Sequence, residues 1–285
     1  MVDVLIDADG AAGAAERLSG WFNGHGCVLV AFSGGADSAL VLAAAARTLG
    51  PGSVVAATAS SDSLPEVEAR AAEIFARELG VEHLLVRTDE MSVDGYRANA
   101  GNRCYFCKST LLDTVGPIAR ERGAVVLTGT NADDRVAGFR PGMRAAAERG
   151  AREPLAECGM SKPMVRAVSR LWGLRTWDKP AAACLSSRIA YGLEITPARL
   201  HRVGRAEAGL RELLAASGLP RGNVRVRDLG DEARVEVDEE IVSAVQGLRA
   251  LSGVLQEAGF SEAFNVRAFT SGSLNAMLQA PASWS

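Results

Sequence analysis

Apolar positions follow one rhythm up to about residue 190 of this chain and a different one beyond it. Over residues 11 to 22 they recur at helical spacing, which predicts an amphipathic helix. Five consecutive apolar residues, Val28–Phe32, then read as a buried parallel strand, and an alanine-rich helix follows from Asp37 to Leu49. The same alternation predicts strand Ser53–Thr58 and helix 65–79, strand His83–Arg87, a long irregular segment, helix 105–121 and strand Ala124–Thr128. Ser161 reads as the cap of a further helix with Pro163 in its first turn. Strands alternating with helices imply an α/β fold, a doubly wound parallel sheet with helices on both faces. Beyond residue 190, Thr196 caps a helix from Pro197 to Ser217. Two alternating runs, Asn223–Asp228 and Ala233–Asp238, flank Gly230 and Asp231 and read as a hairpin. A helix over 239–258 and a strand over 263–269 complete a small C-terminal α+β domain. The expected domains are residues 1–190 and 191–285.

In a parallel sheet of this kind a ligand sits beyond the carboxyl ends of the strands, near a topological switch point. Ser33–Ser38, Thr58–Ser63 and Gly129–Asp134 all lie at such ends. The first segment reads Ser33-Gly34-Gly35-Ala36-Asp37-Ser38. Two glycines let the backbone turn sharply and approach a ligand, and the following helix aims its unpaired N–H groups and positive dipole end at that turn. Strand, turn and helix N-terminus make an anion site, with Ser33 and Ser38 adding hydroxyls. The loop has neither the G-x-x-x-x-G-K-S/T nor the G-x-G-x-x-G spacing. A β–α turn capped by Asp37 is the plain alternative. A triphosphate brings Mg²⁺, which takes oxygen ligands, so Asp37, Asp133 and Asp134 are candidate carboxylates. Thr58 and Gly129 complete the candidate nucleotide-binding set.

Composition narrows the class. In 285 residues there is room for one large domain or two modest ones. No apolar run reaches membrane-spanning length, and no basic segment with an apolar core opens the chain, so a cytoplasmic protein is expected. The net charge of −3 argues against a general nucleic-acid binder and leaves room for a small anionic substrate in a local basic pocket. Five cysteines and only three histidines point to thiols, thiolate ligands or nucleophiles rather than to a His-rich metal site. Cys104 and Cys107 form a C-x-x-C, compatible with a redox pair, zinc or an iron–sulfur centre, and Cys184 precedes Leu185-Ser186-Ser187-Arg188. Three thiolates would hold three corners of a 4Fe-4S cube and leave one iron open; alternatively Cys184 acts alone, helped by Arg188. Cys27, before the first core strand, reads as a small buried hydrophobe, and Cys158 receives no chemistry. Arg225 and Arg227 share one face of a strand, as do Arg234, Glu236 and Asp238 on the next. A solvated face with cross-strand ion pairs competes there with a site for a phosphate or carboxylate. Glu207, on the preceding helix, is a weaker candidate.

Taken together the segments resemble the LarE family. Ser33–Ser38 is similar to the S-G-G-x-D-S signature of the pyrophosphatase-loop (PP-loop) ATPases, a HUP-like fold. The resemblance continues through Asn102–Lys108, Gly129–Asp134 with Arg140-Pro141-Gly142, Glu153-Pro154-Leu155 and Trp177-Asp178-Lys179-Pro180. It then takes in Cys184–Arg188, Tyr191-Gly192 and the terminal Thr270-Ser271-Gly272-Ser273-Leu274-Asn275. The family implies an ATP-dependent sulfur transferase of nickel-pincer nucleotide cofactor biosynthesis. A carboxylate of pyridinium-3,5-dicarboxylate mononucleotide is adenylylated, sulfur displaces AMP, and two such steps give the dithiocarboxylate nucleotide. By this resemblance Ser33, Gly34, Gly35, Asp37 and Ser38 bind the ATP phosphates, Cys184 is the sulfur-transfer centre, and Ser187 and Arg188 bind pyrophosphate or the substrate phosphate. Glu207, Arg225, Arg227 and Asp238 carry over on looser motifs. Single-cysteine members sacrifice the residue matching Cys184, which becomes dehydroalanine. Members with the additional C-x-x-C bind a 4Fe-4S cluster that relays sulfide, so Cys104, Cys107 and Cys184 are the expected metal ligands. Sulfide or a sulfur donor is the implied partner, and a homo-oligomer, a hexamer, is the expected assembly. A PP-loop tRNA thiolase, an NAD-synthetase-like amide-forming ligase and a non-catalytic nucleotide sensor remain the competing readings.

Overall fold

A computed structural model describes residues 6–136, 140–180, 184–220, 222–261, 263–270 and 272–274. Of the segments that carry the family resemblance, Ser271 and Asn275 lie outside the described residues. The chain begins with α1 (Ala8–Phe22), β1 (Cys27–Ala31), α2 (Ala36–Leu49), β2 (Val54–Ser60), α3 (Glu66–Glu78) and β3 (Glu82–Arg87). Next come α4 (Asp94–Arg97), α5 (Arg103–Glu121) and β4 (Ala124–Leu127). Four helices follow: α6 (Ala132–Val136), α7 (Pro141–Glu148), α8 (Pro154–Glu157) and α9 (Lys162–Leu171). The remainder holds α10 (Pro197–Ala216), β5 (Val224–Asp228), β6 (Ala233–Val237), α11 (Val242–Gln246), α12 (Leu251–Glu257) and β7 (Phe264–Ala268).

The chain divides into two compact units, Met1–Glu90 with Cys104–Ala182, and Met91–Arg103 with Ala183–Ser285. A single boundary at residue 190 therefore misplaces two pieces. Cys184–Ala190 belongs to the second unit, and so does Met91–Arg103, because its backbone and side chains bond to the turn after Arg188. Ile195 N–H donates to the Arg97 carbonyl (2.8 Å) and Gly192 N–H to that of Asn99 (3.3 Å).

The first unit is the expected doubly wound sheet. Four parallel strands run in the order β3-β2-β1-β4. Side chains alternate across it as the period of two requires. Val28, Val30, Val54 and Ala56 enter a core with α1, α2 and α9. Leu29, Val55 and Ala57 enter the opposite core with Leu112, Val115 and Ala119 of α5. An alanine-rich α2 suits this place: ten of its residues are buried, and small side chains let the helix lie close to β1. The strand order reverses between β1 and β4, so the crevice beyond their carboxyl ends is the switch point.

The second unit packs α10 on a three-stranded sheet, order β5-β6-β7. The hairpin is present: β5 and β6 are antiparallel, joined by a turn in which Leu229 N–H donates to the Glu232 carbonyl (3.1 Å). β7 adds parallel to β6. The single helix expected over 239–258 is instead a short 3₁₀ turn followed by α11 and α12, with Gly247 C-capping α11. Cys27 is exposed at the start of β1 rather than buried, since the strand's first residue precedes the covered part of the sheet.

Candidate active site

The loop after β1 places its residues through main-chain geometry. Gly34 has φ +71°, the left-handed conformation that a side chain opposes. Gly35, in extended conformation, is the N-cap of α2, and no side chain caps that helix, so its first N–H groups stay directed at the loop. Ser38 is buried; its hydroxyl accepts from Ser33 N–H (3.2 Å), lies 3.0 Å from Ser33 Oγ and donates to the Gly35 carbonyl (3.2 Å). It staples the turn that Ser33 begins. The loop after β4 lies directly upon this one. A Cβ on Gly129 would stand 2.7 Å from Ser38 N, so only glycine permits the two loops to touch.

Asp37 is the charged centre of this region. Its Oδ1 accepts from Asn131 Nδ2 (3.1 Å), and its Oδ2 is ion-paired with Lys162 Nζ at the start of α9. Asn131 and Asp134 bond reciprocally, Asp134 N–H to Asn131 Oδ1 (3.1 Å) and Asn131 N–H to Asp134 Oδ2 (3.3 Å). Asp133 Oδ2 accepts from Lys162 N–H (2.7 Å), which ties it to the first turn of α9. Lys179 Nζ reaches the Gly34 carbonyl (2.9 Å) and Glu68 Oε2 (2.6 Å). Two ammonium groups thus flank the anion loop, each held by a carboxylate. Thr58 is buried, donates to the Phe32 carbonyl (2.7 Å) and faces His83 Nε2 (2.8 Å). Its hydroxyl is engaged between the Phe32 carbonyl, just beyond β1, and His83 of β3 instead of offering a free donor. Burial lowers the His83 pKa, with Glu73 opposing.

Cys104 and Cys107 stand three residues apart in the first turns of α5, which makes them neighbours on its surface. Cys104 is exposed and Cys107 half-buried. Lys108 follows them; burial pulls its ammonium below the ordinary lysine range, against the thiols and Glu153. Among the described residues, no group of three or more His, Cys, Asp or Glu side chains is placed to hold a metal ion. Cys104 and Cys107 lie in the first unit and Cys184 in the second.

Cys184, half-buried, caps a 3₁₀ turn, Leu185–Arg188. Its carbonyl accepts from Ser187 N–H (3.0 Å), Ser187 Oγ (2.8 Å) and Arg188 Nη1 (3.2 Å). Arg188 is buried and grips Glu207 of α10 with two donors, Nε to Oε1 (2.7 Å) and Nη2 to Oε2 (3.2 Å). Arg227 pairs with fully buried Glu236 (2.9 Å) and donates to the Ser187 carbonyl (3.0 Å). Arg267 and the Ser273 hydroxyl also bond Glu236 (both 2.9 Å). Arg225 donates to the Val224 carbonyl (2.8 Å) and lies over the Phe269 ring. The face carrying Arg225 and Arg227 is thus buried, not solvated, because Arg188 and Glu207 close over β5.

Among the described residues, three buried guanidinium groups, Arg188, Arg225 and Arg227, with the more exposed Arg211 and Arg267 beside them, surround two buried carboxylates, Glu207 and Glu236. Burial, then Arg188, pulls the Arg225 pKa down to about 10. Burial would raise Glu207, but Arg188, with Arg211 and Arg225, holds it below the carboxylate range. The excess of buried positive charge suits an anionic ligand. Asp238 stands outside this cluster, accepting from Asn223 N–H (2.8 Å) and Nδ2 (2.6 Å), so it fixes the turn before β5.

A family model described as asparagine synthase matches residues 25–216. An uncharacterized Synechocystis protein, slr1717, is 44% identical over 268 residues, 92% of this chain and 97% of the relative. The pyridinium-3,5-bisthiocarboxylic acid mononucleotide synthase of Lactiplantibacillus plantarum is 38% identical over 213 residues, 74% of this chain and 75% of the relative. The chain belongs to the LarE family. An uncharacterized protein of Methanocaldococcus jannaschii, MJ0830, is 24% identical over 173 residues, 60% of this chain. Within this LarE-family chain the structure brings Ser33, Gly34, Gly35, Asp37, Ser38, Gly129 and Asp133 together. In the second unit it gathers Ser187, Arg188, Glu207, Arg225 and Arg227 behind Cys184. Sequence reasoning gave no role to Lys162, Asn131, Glu68 or Lys179. Lys179 did lie in a noted motif, whereas nothing in the local pattern around Lys162 announces a partner 125 positions away.

Proposed function

We propose that this enzyme adenylylates a carboxylate of pyridinium-3,5-dicarboxylate mononucleotide with ATP and replaces the adenylate by sulfur, as a sulfur transferase of nickel-pincer cofactor biosynthesis. The observation that carries the reading is the Ser33–Ser38 loop at the switch point, with Asp37, Lys162 and Lys179 around it. The Lactiplantibacillus relative, a pyridinium-3,5-bisthiocarboxylic acid mononucleotide synthase, supports the substrate.

The ATP phosphates lie on the N–H groups of the loop and of α2. Magnesium binds through one or two carboxylates together with substrate phosphates, which suits Asp37. Lys162 and Lys179 take charge that builds on the departing pyrophosphate. Adenylylation turns a poor leaving group, oxide, into AMP. The Arg188, Arg225 and Arg227 cluster holds the phosphate or second carboxylate of the mononucleotide. Cys184 supplies the nucleophile. Its thiolate attacks the acyl carbon, the C–O bond to AMP breaks, and a thioester forms. Loss of the Cys184 Cα proton with cleavage of its Cβ–S bond then releases the thiocarboxylate and leaves dehydroalanine. Cys104, Cys107 and Cys184 are the thiols that would hold a 4Fe-4S cluster, which would supply a replaceable sulfide in place of the Cys184 sulfur.

The test is incubation with ATP, Mg²⁺ and the dicarboxylate mononucleotide. AMP, pyrophosphate and thiocarboxylate are expected, with Cys184 lighter by one H₂S. ADP and phosphate as products would refute the reading. Substituting both Cys104 and Cys107 by alanine should leave this single turnover largely intact. Loss of sulfur transfer in that double variant, together with multiple turnovers on added sulfide in the parent, would replace Cys184 donation by a cluster relay.

A further inference from the structure

We infer that Asn99 and Tyr96 are positioning residues for the sulfur-transfer turn, an assignment that rests on reading Cys184 as the sulfur-transfer centre. Asn99 is the one described residue other than glycine with positive φ, at +48°. It is also fully buried. Strained backbone of this kind persists where surrounding contacts fix it, and those contacts all lead to one place.

The Asn99 Nδ2 amide donates to the carbonyls of Ala190 (2.8 Å), Leu193 (3.0 Å) and Ile189 (3.3 Å). Its Oδ1 accepts from Arg103 Nη1 (2.5 Å), and Arg103 lies over the Tyr191 ring. The amide's orientation is set by chemistry, since a guanidinium only donates and a peptide carbonyl only accepts. The Asn99 carbonyl accepts from Gly192 N–H (3.3 Å). One side chain therefore gathers the backbone of residues 189–193, which begins directly after Arg188. One helical turn earlier, buried Tyr96 meets fully buried Ser186 with 2.5 Å between hydroxyls. Ser186 lies inside the 3₁₀ turn that Cys184 caps. The two residues thus brace the Cys184–Arg188 turn from its middle and from its end.

Asparagine fits for two separate reasons. It tolerates the left-handed region, and it carries both a two-proton donor and an acceptor. Glycine keeps the first property only. Aspartate keeps the conformation and the Arg103 contact but sets a carboxylate oxygen against three carbonyls. The hydrogen bonds described for Asn99 and for the Tyr96 hydroxyl go to the Cys184–Arg188 turn, the residues that follow it and Arg103, so their effect should fall on the sulfur step.

The experiment compares Asn99→Gly, Asn99→Asp and Tyr96→Phe with the parent full-length protein. The first readout is the native-state rate of iodoacetamide alkylation at Cys184, resolved by peptide mass spectrometry with Cys158 as internal reference. The second is kcat for thiocarboxylate formation against KM for ATP. Both Asn99 variants should raise Cys184 alkylation and lower kcat by about tenfold or more, since small misplacements of a reacting group are costly. Cys158 alkylation and the KM for ATP should stay unchanged. Tyr96→Phe should move both readouts the same way, less far. Parent-like values at Cys184 in the folded variants overturn the inference. If Asn99→Gly does not fold, Asn99→Asp and the near-isosteric Tyr96→Phe decide by the same criterion. If the parent transfers no sulfur, the functional reading fails, while the alkylation rates still decide whether these residues position Cys184.

Discussion

At the scale of single residues, Asp37 and Arg225 show how a charged side chain is set by its neighbours. Asp37 ties together the loops after β1 and β4 and the start of α9, through Asn131 and Lys162. Asp37→Ala should lower pyrophosphate release by on the order of a hundredfold, the scale seen when one electrostatic group is removed from a preorganised site. The circular dichroism spectrum should stay unchanged, and parent-like pyrophosphate release would remove Asp37 from the mechanism. Arg225 is charged at neutral pH although burial and Arg188 pull its pKa down to about 10. A base whose folded-state pKa is depressed destabilises the fold at pH values where it is still protonated. Arg225→Met should therefore raise the melting temperature of the ligand-free protein. Inorganic phosphate should stabilise the parent and not the variant, a difference that a thermal scan reads directly. Equal phosphate stabilisation in both proteins would argue against Arg225 as an anion contact. The alternation of Arg225 and Arg227 with valines was visible in the sequence. That this face is buried was not, because the covering groups, Arg188 and Glu207, lie 37 and 18 positions before Arg225.

At the scale of elements, the junction of β1, α2 and the turn after β4 carries the site. Gly129→Ala would drive a methyl group to within 2.7 Å of Ser38 N, backbone that cannot yield cheaply. The first turn of α2 must then shift away from the loop. The expected cost is about 1–3 kcal/mol of stability, as in other overpacked contacts, together with weakened ATP binding. Urea denaturation and a nucleotide titration check the two parts, and an undiminished midpoint would contradict the packing argument. The caps were legible: Ser161 accepts from Met164 N–H and Thr196 from Arg199 N–H, as their positions ahead of proline-started helices imply. The helix expected over 239–258 was not legible as three pieces. Its apolar residues keep helical spacing, while its breaks at Ile241 and Gly247 depend on how the segment packs between β6 and β7.

At the scale of the whole molecule, acid stability follows from a set of arginine-bound carboxylates. Glu157, held by Arg152, titrates at about 2 instead of its ordinary 4.5. Glu82 is lowered by Arg122, Asp113 by Arg149 and Glu148 by Tyr105 and Arg144, and Glu207 and Glu236 are held down by arginines against their burial. Carboxylates with depressed folded-state pKa contribute stability that is complete above pH 4.5 and is lost as pH falls toward 2. The melting temperature should fall gently between pH 7 and about 5, where half-buried His83 must take up a proton, and then steeply below about 5, less steeply in Glu157→Gln. A flat profile down to pH 3 would show that these pairs contribute little. The sequence by itself determined the βα rhythm, the phosphate loop and the family, because those are written in local periodicity and contiguous motifs. It also marked Cys184 and Arg188 through a short segment. Only the tertiary structure decided that Lys162 faces Asp37, that Met91–Arg103 joins the second unit to brace the Cys184 turn, and that Arg225 and Arg227 are buried. Those facts depend on contacts between residues far apart in the chain, where burial and charge pairing are set by the fold and leave no local trace.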